Sequence, residues 1–269
     1  MNWSKAKNIL IIFLLLTFLL LSAMIYDSEK KSSQIQPETI NYAINLLHAR
    51  GIDIDPKIIP TTIDTLHILE VQNVISDYSE FAKIAIPDCS KVSDVIFSSN
   101  KATIEFFGDK FTITYINGHK TDKKLKSPAE KAKSYLAGLG IDVSNASVST
   151  SNNAEGLFSV TFVKFIEELS FFDSKLTVTF DGENIIRVSG TWFNEAPLPT
   201  SSAMIDFPHG LLIKYSSSNE TFSNINITDL ALGYAINEDG VYHKQATLIP
   251  VYRVITADNR EFYIDARRA

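Results

Sequence analysis

From Ile9 to Ile25 the chain is apolar without interruption, and Thr17 and Ser22 are the most polar positions in the run. At the helical rise this stretch spans roughly 25 Å, slightly under the ~30 Å hydrocarbon core of a bilayer. Trp3, Lys5 and Lys7 before it and Tyr26 after it are the residue types that settle at membrane interfaces. The run is longer than the ~7–15 residues of a secretory signal core, and a cut after Ala23 would leave bulky Leu21 three positions back. The pattern therefore predicts a retained single-pass anchor over residues 8–26, with residues 1–7 as a short cytoplasmic end. Lys5 and Lys7 are balanced by Lys30 and Lys31, so the free amino terminus decides the orientation and puts the bulk outside. Residues 27–36 are polar and read as a stalk.

Beyond the stalk the hydrophobic period changes. Pro37-Glu38 opens a helix whose face is Ile40, Ile44 and Leu47 and which stops at Gly51. Leu66 to Val74 reads as a strand, and Pro87 to Ser90 as a turn. Ala102, Ile104 and Phe106 alternate with other residues, as do Phe111, Ile113 and Tyr115 after Gly108-Asp109, which is a hairpin signal. The polar stretch Asn117–Lys126 carries a lysine cluster and suggests a boundary between subdomains at 37–120 and 121–269. Ser127-Pro128-Ala129-Glu130 then caps a second helix with Ala132, Tyr135, Leu136 and Leu139 on its inner face. Strands are expected near 147–149, 157–166, 176–180, 185–193, 225–236, 248–256 and 261–265. Met204, Phe207 and Leu211 outline a further helix that Pro208 and Gly210 disturb.

The two halves rhyme. Gly51-Ile52-Asp53-Ile54 and Gly140-Ile141-Asp142-Val143 each follow a helix, 89 residues apart, and strands follow both. A third, weaker copy starts near Ser201. The expected architecture is α+β: a single N-terminal transmembrane helix followed by two repeated subdomains of helix plus antiparallel sheet.

The chain has 269 residues, 45% hydrophobic and 21% charged, which suits a folded body rather than a disordered tail. Its net charge of −6 and lack of a long basic run argue against nucleic acid as a partner. Cys89 stands alone, so there is no internal disulfide framework and no multi-cysteine metal site. None of His48, His67, His119, His209 and His243 pairs with another at metal-ligand spacing, and no nucleophile or phosphate-loop motif is present. Glu167-Glu168 is an acidic pair, but neighbours on a strand point to opposite faces. The expectation is therefore no enzyme, no cofactor and no metal. In the anchor, Ala6, Thr17, Ser22 and Ala23 are the small or weakly polar positions that let another helix approach in lipid, and Ala6 and Thr17 lie close to three turns apart.

The opening Met1-Asn2-Trp3-Ser4-Lys5-Ala6-Lys7, running into the apolar helix, resembles the start of the YycI family, with Asn2 where that family usually has Asp. The closing Leu248-Ile249-Pro250-Val251-Tyr252-Arg253-Val254 and Glu261-Phe262-Tyr263-Ile264-Asp265-Ala266 are also similar to it. The resemblance covers about the first and last 25 residues. It implies a membrane-anchored regulator of a YycG/WalK-type two-component system in Gram-positive bacteria, with an exported domain of two α+β subdomains. It further implies two partners, an essential sensor histidine kinase governing cell-wall metabolism and a YycH-like companion forming a heterodimer, and it offers no catalytic residues. A similar ending occurs in PepSY-like domains, so an anchored inhibitor or chaperone of a secreted hydrolase is the alternative.

Overall fold

The computed structural model describes residues 3–32, 35–61, 65–122, 124–152, 156–219, 222–237 and 244–268, without the side chains of 3–6, 8–10, 25–32 and 195–199. In chain order the elements are α1 (Trp3–Ser32), α2 (Pro37–His48), β1 (Ile52–Ile54), β2 (Thr65–Asn73), α3 (Tyr78–Ala85), β3 (Ser90–Lys91), β4 (Ile96–Ser98), β5 (Ala102–Phe107) and β6 (Lys110–Lys120). There follow α4 (Pro128–Gly138), β7 (Ala146–Asn152), β8 (Phe158–Ile166), β9 (Leu169–Asp181), β10 (Asn184–Thr191), β11 (Phe193–Met204), α5 (Pro208–Ser218), β12 (Ile225–Ile236), β13 (Gln245–Thr256) and β14 (Glu261–Asp265).

Local chemistry accounts for the ends of these elements. Ser127 and Glu130 form a reciprocal capping box on α4, satisfying two otherwise orphaned amides. Asp77 accepts from the Glu80 amide and starts α3, a helix the hydrophobic period does not announce. Pro208, expected to disturb a helix, instead occupies the first turn of α5, where its missing N–H costs nothing. Gly108-Asp109 is the two-residue loop of the β5–β6 hairpin, with Phe107 paired to Lys110.

The turn at Gly-Ile-Asp recurs as a local conformation at three places. Gly51, Gly140 and Asn224 all adopt left-handed φ angles, +73°, +77° and +52°. Each is followed by a buried, exposed, buried triplet: Ile52-Asp53-Ile54, Ile141-Asp142-Val143 and Ile225-Asn226-Ile227. The first and third copies meet in the fold, because β1 pairs in parallel with β12, Ile52 opposite Ile225 and Ile54 opposite Ile227. Gly51 is needed there, since a Cβ would lie 2.4 Å from Asn224 Oδ1. Arg50, just past α2, donates to the Ile213 carbonyl at 2.8 Å and so ties α2 to α5.

The strands join in one mixed sheet in the order β11-β2-β13-β12-β9-β10-β6-β5-β4-β3, with β1 added beside β12, β14 beside β13, and β7-β8 beside β9. Among the described residues only the β1–β12 and β9–β12 pairings are parallel, and the latter joins at Gly233–Ser170 and Tyr234–Phe171. One core gathers Phe81, Ala132, Leu136, Phe111, Phe162 and Val178 beneath α3 and α4. Another gathers Ile40, Leu47, Leu212, Ile225, Tyr252 and Ile264 beneath α2 and α5. The first draws on residues 75–192, the second on 40–59 together with 205–266. The cores therefore do not divide at 120/121: the middle of the chain is inserted between the two segments that build the other core, because β2 pairs with β11 and β13 rather than with its sequence neighbours.

The solvent face of the middle strands is built from hydroxyls. Ser159 meets Thr179 and Thr161 meets Thr177, each at 3.2 Å, across β8 and β9. Such cross-strand pairs hold a half-buried sheet in register while leaving one face polar.

No helix among the described residues is long and apolar enough to cross a membrane. Residues 8–26, predicted as the anchor, are helical as part of α1.

Candidate functional site

Three features of the described surface could serve a function. The first is α1. Its large apolar side chains from Ile11 to Met24 are 48–70% exposed and pack against no core, more apolar surface than a free helix leaves in water. Thr17 is exposed, and its hydroxyl donates to the Phe13 carbonyl at 2.8 Å, so it is satisfied within its own helix. Ser22, Ala23 and Lys7 are also exposed. The side chains of Trp3, Lys5, Ala6 and Tyr26 lie outside the described ones.

The second feature lies where β2, β12 and the β8–β9 turn meet. Glu167 and Glu168 form that turn with φ of +49° and +66°, a left-handed conformation that ordinarily selects Gly or Asn. Glu167 is exposed in this turn, as a solvated turn residue would be, yet both its carboxylate oxygens are engaged. Its Oε1 lies 2.6 Å from His67 Nδ1, and its Oε2 accepts from the Tyr234 hydroxyl at 2.8 Å. Tyr234 is fully buried, and burial together with this carboxylate pushes its phenol well above the usual range. The grouping offers an acid, an imidazole and a phenol that stays protonated, but no nucleophile beside a base.

The third feature is a cleft of about 360 Å³ between the end of α3, the end of β6 and α4. Tyr115, His119 and Tyr135 form its floor, with the two phenol oxygens 2.6 Å apart. The His119 ring lies 5.2 Å from that of Tyr115 and 5.1 Å from that of Tyr135. Burial lowers the pKa of His119 and raises those of both tyrosines, so all three are neutral at pH 7.

The remaining sequence candidates scatter. Cys89 is a half-buried free thiol packed against the core under α3. His48 is exposed, 3.5 Å from Asp53. His209 is at the start of α5, its Nδ1 buried without a hydrogen-bond partner. His243 lies outside the described residues. Among the described residues no three His, Cys, Asp or Glu side chains converge as metal ligands would. Sequence reasoning missed both the Glu167 grouping and the cleft. The Tyr115/His119 pair was the available signal for the cleft, hidden by the assumption of a regular strand.

No family model matches the chain. No protein of established description matches it in sequence. Its fold is similar to that of YycH from Bacillus subtilis, at 12% identity and a TM-score of 0.50, over 76% of this chain and 53% of YycH. The chain thus spans about half the length of YycH. An uncharacterised protein from Eubacterium rectale aligns over 79% of this chain and 84% of its own, at 12% identity and a TM-score of 0.47.

Proposed function

We propose that this chain is a membrane-anchored, extracytoplasmic and non-enzymatic regulator of a sensor histidine kinase of the YycG/WalK type. In this reading it is a YycI-like protein acting beside a YycH-like companion. The observation that supports the reading best is that a chain whose two ends resemble the YycI family also shares the fold of YycH. The full apolar run Ile9–Ile25, which extends beyond the described side chains of α1, is the anchor. It leaves residues 37–268 outside and offers the kinase a helix in the bilayer. Heterodimer formation with the companion and control of the kinase follow from the same resemblance.

The test is affinity capture of the full-length tagged chain from the membranes of the cells that express it. The kinase and a second anchored protein are expected to co-purify. Replacing Ile9–Ile25 by an unrelated helix of equal hydrophobicity is expected to keep export and folding intact while weakening kinase capture. Capture of a secreted hydrolase instead would overturn the reading in favour of an anchored inhibitor. A body protected from protease added to wall-stripped cells would overturn the orientation.

A further inference from the structure

The cleft floored by Tyr115, His119 and Tyr135 exists because β6 leaves its ladder. Arg187 of β10 pairs with Thr114 of β6 and Ile185 with His119, so the pairing advances two residues on one strand and five on the other. In a regular strand residues 115 and 119 would stand about 13 Å apart, yet their rings are 5.2 Å apart. Irregularities of this kind re-aim side chains and are over-represented beside functional sites. Gly118 makes the bend, with φ of +70° and a position where a Cβ would lie 2.7 Å from that of Asn184. On the opposite wall Lys131, Ser134, Tyr135 and Gly138 recur at helical spacing and turn one face of α4 into the cleft.

The lining divides by chemistry. The floor is three neutral rings, the side walls are apolar at Ile84, Leu125 and Leu139, and the mouth carries Lys120 beside Asp122. Lys131 is largely buried, its side chain 10% exposed, with its ammonium 3.7 Å from Glu183. A largely buried lysine whose one ion pair among the described residues is 3.7 Å long can take a second anion, and the volume suits a molecule of one or two rings but not a peptide. We propose that this cleft is a binding site for a small aromatic carboxylate. Its ring lies against Tyr115, His119 and Tyr135, and its charge is held by Lys131 and Lys120. The site stands apart from α1 and gives the outer body a chemical input of its own.

The probe is 2-naphthoate, titrated against the full chain in lipid nanodiscs, with empty nanodiscs subtracted. Saturable binding is expected, and the uncharged isostere 2-naphthalenemethanol should bind about threefold or more weakly. Gly138→Leu fills the cleft from α4, where a Cβ meets nothing within 4 Å. It should melt no lower than the parent and bind at least about tenfold more weakly. His119→Ala, which removes a floor ring, should also weaken binding and decides the matter if Gly138→Leu fails to fold. Absence of saturable binding, or undiminished binding by the folded variants, overturns the site; equal binding of the isostere overturns the anionic ligand.

Discussion

His67 Nδ1 lies 2.6 Å from Glu167 Oε1, across a separation of 100 residues. The contact ties β2 to the β8–β9 turn, and Tyr234 of β12 secures the other carboxylate oxygen. Three strands distant in sequence are thereby pinned beside a further core cluster of Val71, Ile166, Phe171 and Tyr234. The side chain of Glu167, rather than its backbone preference, holds the turn left-handed.

That reading separates two neighbouring glutamates. Glu168 shares the left-handed conformation, and its side chain is exposed, so Glu168→Gly should be neutral or raise stability by about 1 kcal/mol. Glu167→Gly relieves the same backbone but leaves the Tyr234 hydroxyl without this acceptor, and should cost about 1–3 kcal/mol. Thermal or denaturant melts of the two variants measure the contrast.

Gly51→Ala should destabilise by about 1–3 kcal/mol, through a left-handed φ and a Cβ driven onto Asn224. Adding Asn224→Gly should recover part of that loss, because Gly keeps the left-handed φ while removing the obstructing amide. A double-mutant cycle in denaturant checks it, and additive losses would show that the two turns are not in contact.

Burial holds the His119 and His209 imidazoles below the ordinary histidine pKa. The unfolded chain therefore takes up protons there at a higher pH than the folded one. The stability due to the neutral rings is complete above the unfolded pKa of about 6.5 and falls as the solution is acidified below it. His119 shares its cleft with Tyr115, Tyr135, Lys120, Asp122 and Lys131, and burial sets the direction of its shift; at His209 burial outweighs the opposing Asp206 carboxylate. Between pH 7.5 and 5 the melting temperature should drop further for the parent than for a His119→Asn/His209→Asn double variant.

Thr17→Leu tests the anchor as a recognition element. The Thr17 hydroxyl already donates to the Phe13 carbonyl, so its loss removes at most one shared bond, worth about 0.6 kcal/mol in lipid. Kinase capture should fall by no more than about threefold, well short of the loss expected when the whole apolar run is exchanged. A loss as large as that of the exchange would place recognition at this single position.

Local chemistry carried most of the elements into view. The Ser127 cap, the Gly108-Asp109 hairpin and the Gly-Ile-Asp helix stops each depend on residues within a few positions of one another. Tyr78–Ala85 escaped because eight residues give too little of a 3.6 period, though Asp77 and Glu80 were there to mark its start. Pro208 misled because the same residue ends one helix and begins another, and only the chain before it decides which. The join of β2 to β11 and β13, the Glu167 grouping and the irregular end of β6 were out of reach for a different reason: each depends on which strands become neighbours, and no short window holds that information.

The insertion of the middle of the chain has a consequence for how the protein is made. The strands β1 and β2 leave the ribosome early but have no strand partners until β11, β12 and β13 follow them, well over a hundred residues later. During that interval the intervening segment can close its own core, while the portion nearest α1 waits as unpaired strand. The core beneath α2 and α5 is therefore the last to assemble, and for that time its open strand edges depend on whatever shields nascent chains.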